Sequence, residues 1–221
     1  MIYVIIPAGG IGNRYSQKKS KLDEVIHGES IWMRSLKAFL NHKKIHHIMI
    51  ACPELAIKAF QKTIEPYKNK VTLVPGGNTR AKSVHNAFQA IPQCTHVLIH
   101  DAARPNINNK LIDKIISSLA LHPVVIPGVA ITDTVKRILN QTIIKTIKRE
   151  NLIAVQTPQG FHYEALKKAY ERITDFDSIT DEAGLMERYG IHGHVIDGTT
   201  ENIKITTQTD LALLKALIPA T

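Results

Sequence analysis

The chain has 221 residues, 44% of them hydrophobic, and a formal net charge of +9. That suits one α/β domain with a sizeable core, and no apolar run approaches the roughly 20 residues that span a bilayer. Lys and Arg are scattered, aromatic residues are only 5%, and no helix-turn-helix, RNP-like or zinc-finger pattern occurs, so the charge points to small anionic substrates rather than nucleic acid.

The first element is Ile2 to Ile6, apolar, β-branched or aromatic throughout and ended by Pro7. A run this short predicts a buried strand. It has no basic leader or cleavage site of a signal peptide. With only Cys52 and Cys94, neither at metal-ligand spacing, a cytoplasmic protein with reduced thiols is expected. The strand leads into Pro7-Ala8-Gly9-Gly10-Ile11-Gly12-Asn13-Arg14, with Lys21 beyond. Glycines let backbone N–H groups approach an anion, and Arg14 and Lys21 add positive charge. The loop is too long for a dinucleotide fingerprint and lacks the Gly-Lys-Ser/Thr of a Walker loop.

Helical spacing then covers Ser30 to Leu40, with Ser30 as a cap. A strand follows within His46 to Cys52, and a helix from Glu54 to Ile64. Val71 to Val74 predicts a strand, Thr79 to Ile91 a helix, Thr95 to His100 a strand, Asn108 to Leu121 a helix and Pro123 to Pro127 a strand. This alternation predicts a parallel sheet covered on both faces. The rhythm breaks at Thr134 to Arg137 and Ile143 to Lys148, a hairpin with Asn140 in its turn. Ala154 to Gln156 (strand), Tyr163 to Arg172 and Thr180 to Tyr189 (helices), His194 to Ile196 (strand) and Thr207 to Leu217 (helix) complete the chain. The expected architecture is α/β and Rossmann-like: a mostly parallel central sheet, helices on both faces and a protruding β-hairpin arm at about 132–152, in a single domain spanning 1–221.

Polar and glycine-rich stretches collect at strand ends, where such folds bind ligands. Gly76-Gly77-Asn78-Thr79-Arg80-Ala81-Lys82-Ser83 precedes a helix. Asp101 in His100-Asp101-Ala102-Ala103-Arg104-Pro105 follows an apolar strand, and Arg104 can pair with a phosphate. Thr132 to Arg137 with Lys148 and Arg149 form the base of the hairpin. Gln156-Thr157-Pro158-Gln159, Thr180-Asp181-Glu182-Ala183 and Glu201 to Thr206 follow. Taken singly, each has a plainer explanation: a turn, a loop-stiffening ion pair, a helix start, or for Lys204 a charged edge strand. The 11 histidines show no metal-binding spacing and are expected to be ordinary surface or core residues.

In this order, these stretches resemble the 2-C-methyl-D-erythritol 4-phosphate cytidylyltransferases, from Pro7 to about Leu211. The resemblance implies transfer of CMP from CTP to 2-C-methyl-D-erythritol 4-phosphate with Mg²⁺, the metal held mainly by the CTP phosphates rather than by protein ligands. It implies catalytic roles for Arg14, Lys21 and Lys204. It places Pro7, Ala8, Gly9, Gly10, Gly12, Gly76, Gly77, Arg80, Ser83, Asp101 and Ala102 at the nucleotide. It places Asp101, Arg104, Thr134, Arg149, Thr157 and Lys204 at the acceptor. It further implies a homodimer through the arm, with no nucleic-acid or membrane partner.

Four positions depart from the family pattern: Ser20 and Leu22, since Ser20-Lys21-Leu22 stands for Pro-Lys-Gln, Asn78 for Asp, and Lys148 for the Asp before the arm Arg. The related ribitol-5-phosphate cytidylyltransferases tend to carry Val in place of Ala103 and a different sequence before Thr-Pro-Gln. Ala103 and Arg149-Glu150-Asn151 favour the methylerythritol branch. A non-catalytic nucleotide- or RNA-binding module is the alternative of another class; it would bind without releasing pyrophosphate.

Overall fold

The structure is a computed structural model, in which residues 1–9 and 20–219 are described. Gly10, Gly12 and Arg14 lie outside the described residues. In chain order the strands and helices are β1 (Ile2–Pro7), β2 (Val25–Ile26), β3 (Glu29–Ser30), α1 (Ile31–Leu40), β4 (His47–Cys52), α2 (Ile57–Ile64), β5 (Val71–Pro75), α3 (Arg80–Gln89), β6 (His96–Ile99), α4 (Asn109–Ser118), β7 (Val124–Ala130), β8 (Val135–Leu139), β9 (Thr142–Ile147), β10 (Ile153–Val155), β11 (Gln159–His162), α5 (Tyr163–Tyr170), α6 (Glu182–Glu187), β12 (His194–Asp197) and α7 (Gln208–Leu217).

The described residues form an eight-stranded sheet in the order β10-β7-β11-β6-β1-β4-β5, with β12 pairing β7. Strands β1, β4, β5 and β6 run parallel. The period of two in β1 divides its side chains between two cores. Ile2, Val4 and Ile6 pack with residues of α1, α2, α4 and α7. Tyr3 and Ile5 pack with α3, α5 and α6. Helices therefore cover both faces, as the alternation predicts.

The expected sheet needs one correction. Two strands, β10 and β11, run antiparallel to their neighbours, and β11 was not anticipated. Its Gly160 lies so close to α4 that an added Cβ would meet Ile115 Cγ2 at 2.6 Å. Helix ends also shift. The expected Glu54–Ile64 helix begins as a 3-10 turn, Glu54–Ala56. The expected Thr180–Tyr189 helix shrinks to Glu182–Glu187, started by Asp181 accepting the Gly184 N–H at 3.0 Å. Ser30 has extended backbone at the start of α1, but its side chain makes no capping bond.

The arm is β8 paired with β9. Asn140 and Gln141 turn it with φ of 44° and 65°, both in the left-handed region that a two-residue hairpin turn of matching twist needs.

Candidate active site

The parallel strands end at one edge of the sheet, and the sequence motifs meet there. Beyond β1, the Ala8 N–H donates to the Ala51 carbonyl at 2.7 Å; beyond β5, the Gly76 N–H donates to the Cys52 carbonyl at 2.8 Å. Ser83, in the first turn of α3, fixes the second glycine pair: its Oγ accepts the Gly77 N–H at 3.0 Å and donates to the Thr79 carbonyl at 2.8 Å. An ideal Cβ on Gly9 would stand 3.8 Å from the same Oγ, and one on Gly76 only 3.1 Å. The loops carrying Gly9 and Gly76 thus meet at Ser83.

Lys21 opens a 3-10 turn, Lys21–Asp23, in which Ser20 Oγ accepts the Leu22 N–H at 3.3 Å. Leu22 is buried in the core. The departures Ser20 and Leu22 therefore have local roles: one caps the turn, the other anchors it. Lys21 Nζ donates to the Ile205 carbonyl at 3.0 Å, and the Ile205 N–H donates to the Ala103 carbonyl at 2.9 Å. That lays residues 203–205 along the Asp101 loop. This segment forms no strand, so Lys204 does not guard an edge strand.

Asp101 is the centre. Its Oδ1 accepts from Arg80 Nε at 2.9 Å, and its Oδ2 meets Lys204 Nζ at 2.7 Å. Arg80 Nη1 donates to Glu182 Oε2 at 2.9 Å. Four charges, from the loop after β6, from α3, from α6 and from the loop before α7, thus alternate in sign. Burial, the largest single influence on Asp101, opposes its ionisation, but Arg80 and Lys204 together hold its carboxyl well below the usual range. The two donors Nε and Nη1 of Arg80, expected at the nucleotide, are committed to carboxylates. The importance of Glu182 was not legible: Thr180 to Ala183 shows a helix start, and nothing in the sequence marks the carboxylate as wholly buried.

The residues expected at the acceptor form a second network. His100 Nε2 lies 3.0 Å from the Arg104 carbonyl, which can only accept, so Nε2 carries the proton. Burial pushes the imidazole down to about 4, so it is neutral and Nδ1 bears a lone pair. Thr157 Oγ1, 3.2 Å from that Nδ1, is then the donor, while it accepts the Asp101 N–H at 3.1 Å. The Thr157 proton, expected for the acceptor phosphate, is given to His100. Arg104 Nη1 donates to the Asn202 carbonyl at 2.6 Å, and Asn202 Nδ2 donates to the Thr157 carbonyl at 2.8 Å. Thr134 and Arg149 stand exposed at the base of the arm, where Arg149 donates to the Thr132 carbonyl. Neither bonds Asp101, Arg104 or Lys204.

His100 makes the fold acid-sensitive. Its folded value lies below the ordinary 6.5, so the unfolded chain takes up the proton first. Its contribution is complete above about pH 6.5 and is lost as pH falls toward and through about 4, reaching roughly 3 kcal/mol. Burial lowers His42, His47, His85 and His96 in the same direction. Urea unfolding from pH 7.5 down to 4.5 is expected to show falling stability, with a shallower fall in His100→Gln. Equal pH slopes would assign the loss to other groups.

Among the described residues no helix is long and apolar enough to cross a membrane, and no three His, Cys, Asp or Glu side chains gather to hold a metal.

Comparisons with known proteins show the family. The family model for 2-C-methyl-D-erythritol 4-phosphate cytidylyltransferase matches residues 2–219. A relative of that name from Bacillus mycoides (strain KBAB4) is 34% identical over 221 residues, covering 99% of this chain and 98% of its own. The crystal structure of the 4-diphosphocytidyl-2C-methyl-D-erythritol synthase from Anaerococcus prevotii DSM 20548 superposes with a TM-score of 0.84 at 29% identity, over 98% of this chain and 97% of that one. That of the Francisella tularensis 2-C-methyl-D-erythritol 4-phosphate cytidylyltransferase gives 0.82 at 30%, over 98% and 99%. With sequence and fold in accord along nearly its whole length, the chain belongs to the 2-C-methyl-D-erythritol 4-phosphate cytidylyltransferase family.

Proposed function

We propose that this protein transfers CMP from CTP to 2-C-methyl-D-erythritol 4-phosphate, giving 4-diphosphocytidyl-2-C-methyl-D-erythritol and pyrophosphate for non-mevalonate isoprenoid synthesis. The family match across residues 2–219 carries this reading. An oxygen of the acceptor phosphate attacks the α-phosphorus in line. The bond from that phosphorus to the bridging oxygen breaks, and pyrophosphate leaves with the electron pair. The ionised phosphate is already a nucleophile, so no general base is needed. The protein's work is positioning and charge stabilisation.

In this reading Arg14, Lys21 and Lys204 stabilise the triphosphate and the five-coordinate centre. Pro7 to Gly12, Gly76, Gly77 and Ser83 hold the nucleoside. Asp101 and Ala102 lie between nucleotide and acceptor, and Arg104 serves the acceptor. Mg²⁺ characteristically keeps substrate phosphates and water among its ligands and takes only one or two carboxylates. Asp101 already has both carboxylate oxygens on cations, which fits a metal carried chiefly by CTP. When bound, Mg²⁺ would neutralise charge on the departing pyrophosphate.

The same reading includes a homodimer. A two-stranded ribbon is marginal alone, yet this arm exposes Ile138, Leu139, Ile143 and Ile144 by 54–64%. A second copy of the chain would cover them and receive Thr134 and Arg149 at its acceptor site. Sedimentation equilibrium is expected to give twice the chain mass, and Leu139→Asp with Ile143→Asp a monomer with weakened acceptor turnover. A wild-type monomer with full activity would remove the arm from the site. The lack of a membrane-crossing helix among the described residues is compatible with action in the cytoplasm.

The deciding assay is pyrophosphate release with Mg²⁺ and each of CTP, UTP, ATP and GTP, against methylerythritol 4-phosphate and ribitol 5-phosphate. Release confined to CTP with methylerythritol phosphate is the expected result. Release with ribitol phosphate alone would move the acceptor, and no release with any pair would overturn the reading.

A further inference from the structure

The best-protected charge near the site is one that the reaction just described does not use. Glu182 has a fully buried side chain. Its Oε2 holds Arg80 Nη1 at 2.9 Å, and its Oε1 accepts from the Tyr170 hydroxyl at 3.5 Å. Arg80 is therefore fixed at two points, Glu182 behind and Asp101 in front. Lys204 is held differently: its side chain is 41% exposed, against 25% for Arg80, and its ion pair is with Asp101.

We propose that Glu182 is a positioning residue acting through Arg80, which keeps Asp101 paired and oriented when Lys204 swings from Asp101 to the ligand phosphates. The physical argument concerns what Asp101 does as Lys204 leaves. With Arg80 fixed, the carboxylate retains one charged partner at 2.9 Å, and the departure of Lys204 strands no buried charge. Without the charge of Glu182, Arg80 has one anchor fewer and a long side chain free to follow the phosphates itself. Asp101 would then lose both partners at once. The proposal rests on the cytidylyltransferase reading and adds a role for the Thr-Asp-Glu-Ala stretch.

A structural role alone would lower stability without a patterned kinetic change. Positioning predicts a split. Glu182→Gln removes one negative charge beside a triphosphate site, so the KM for CTP should not rise, while kcat falls roughly ten- to a hundredfold through misplacement. The path through Arg80 is tested by a double-mutant cycle: in an Arg80→Gln background, Glu182→Gln should cost almost nothing further. All variants are compared as folded protein, checked by circular dichroism at the assay temperature. If Glu182→Gln does not fold, Glu182→Asp, one methylene shorter, carries the same cycle. A kcat within twofold of wild type, or an equal loss in both backgrounds, would overturn the proposal. A wild type without turnover would instead count against the functional reading. CTP·Mg²⁺ affinity by calorimetry then supplies the readout, and a change on Glu182→Gln that persists undiminished in Arg80→Gln would overturn the positioning role.

Discussion

Lys21→Ala is expected to lower kcat by roughly two to three powers of ten, the scale of removing one donor aimed at transition-state charge, with a much smaller change in KM for CTP. Lys21 is held for such a task. Its turn is capped by Ser20 and anchored by Leu22, and its ammonium donates to the Ile205 carbonyl, beside Lys204. The geometry delivers two cations to one edge, and the Ile205 carbonyl accepts from Lys21. Steady-state pyrophosphate release on protein of wild-type thermal stability is the check. Turnover within a few-fold of wild type would take Lys21 out of the mechanism.

Asp101→Asn should cost about 2–4 kcal/mol of stability, somewhat below the range for breaking a wholly buried ion pair, and should abolish most acceptor turnover. The discount has a reason: Arg80 keeps Glu182, and a quarter of its side chain is exposed. What remains is a partly buried Arg80 with Glu182 as its one carboxylate, facing an amide in place of the other, and a Lys204 without its resting partner. Urea titration at neutral pH measures the loss. Its pH dependence separates Asp101 from the histidines. A carboxyl held below its ordinary 3.8 contributes fully above that value and loses its contribution only as pH falls below it. The histidine contribution is already falling between pH 6.5 and about 4. Wild type and Asp101→Asn should therefore lose stability in parallel through that upper window, with wild type the more stable, and converge only in stronger acid, where wild type loses the carboxylate's contribution. Stability within a few tenths of a kcal/mol of wild type would show that Arg80 and Lys204 do not depend on the carboxylate.

The parts legible in the sequence are those whose cause is local. Ile2 to Ile6 can bury both faces only as an inner strand. The Asn140 turn follows from the left-handed backbone that Asn tolerates, and Asp181 starts α6 because its side chain reaches an N–H three residues on. Strand β11 was hidden because its evidence is tertiary. Four residues containing Gly160 become a strand only where α4 leaves room for no side chain there. Glu182 and His100 were hidden for the same reason. A carboxylate beside an arginine 102 positions away, and one neutral imidazole among 11 histidines, are distinguished by burial, which has no local pattern. The motif order pointed to the edge loops; it did not reveal that Thr157 gives its proton to His100, since that depends on which ring nitrogen faces a carbonyl.

The alternating chain Glu182–Arg80–Asp101–Lys204 also bears on how the protein is made. Its members come from four separated stretches, and Lys204 is synthesised last. During translation Arg80 and Asp101 can meet early, as the parallel strands β6, β1, β4 and β5 assemble, but the carboxylate that steadies Arg80 and the ammonium that completes the row arrive only with the final segments. A ribosome-bound nascent chain should therefore hold an incomplete site even when most of its sheet has formed. On the role proposed for Lys204, a chain cut before residue 204 is expected to be inactive, and it also loses Ile205, Leu211, Leu214 and Ile218 from the core.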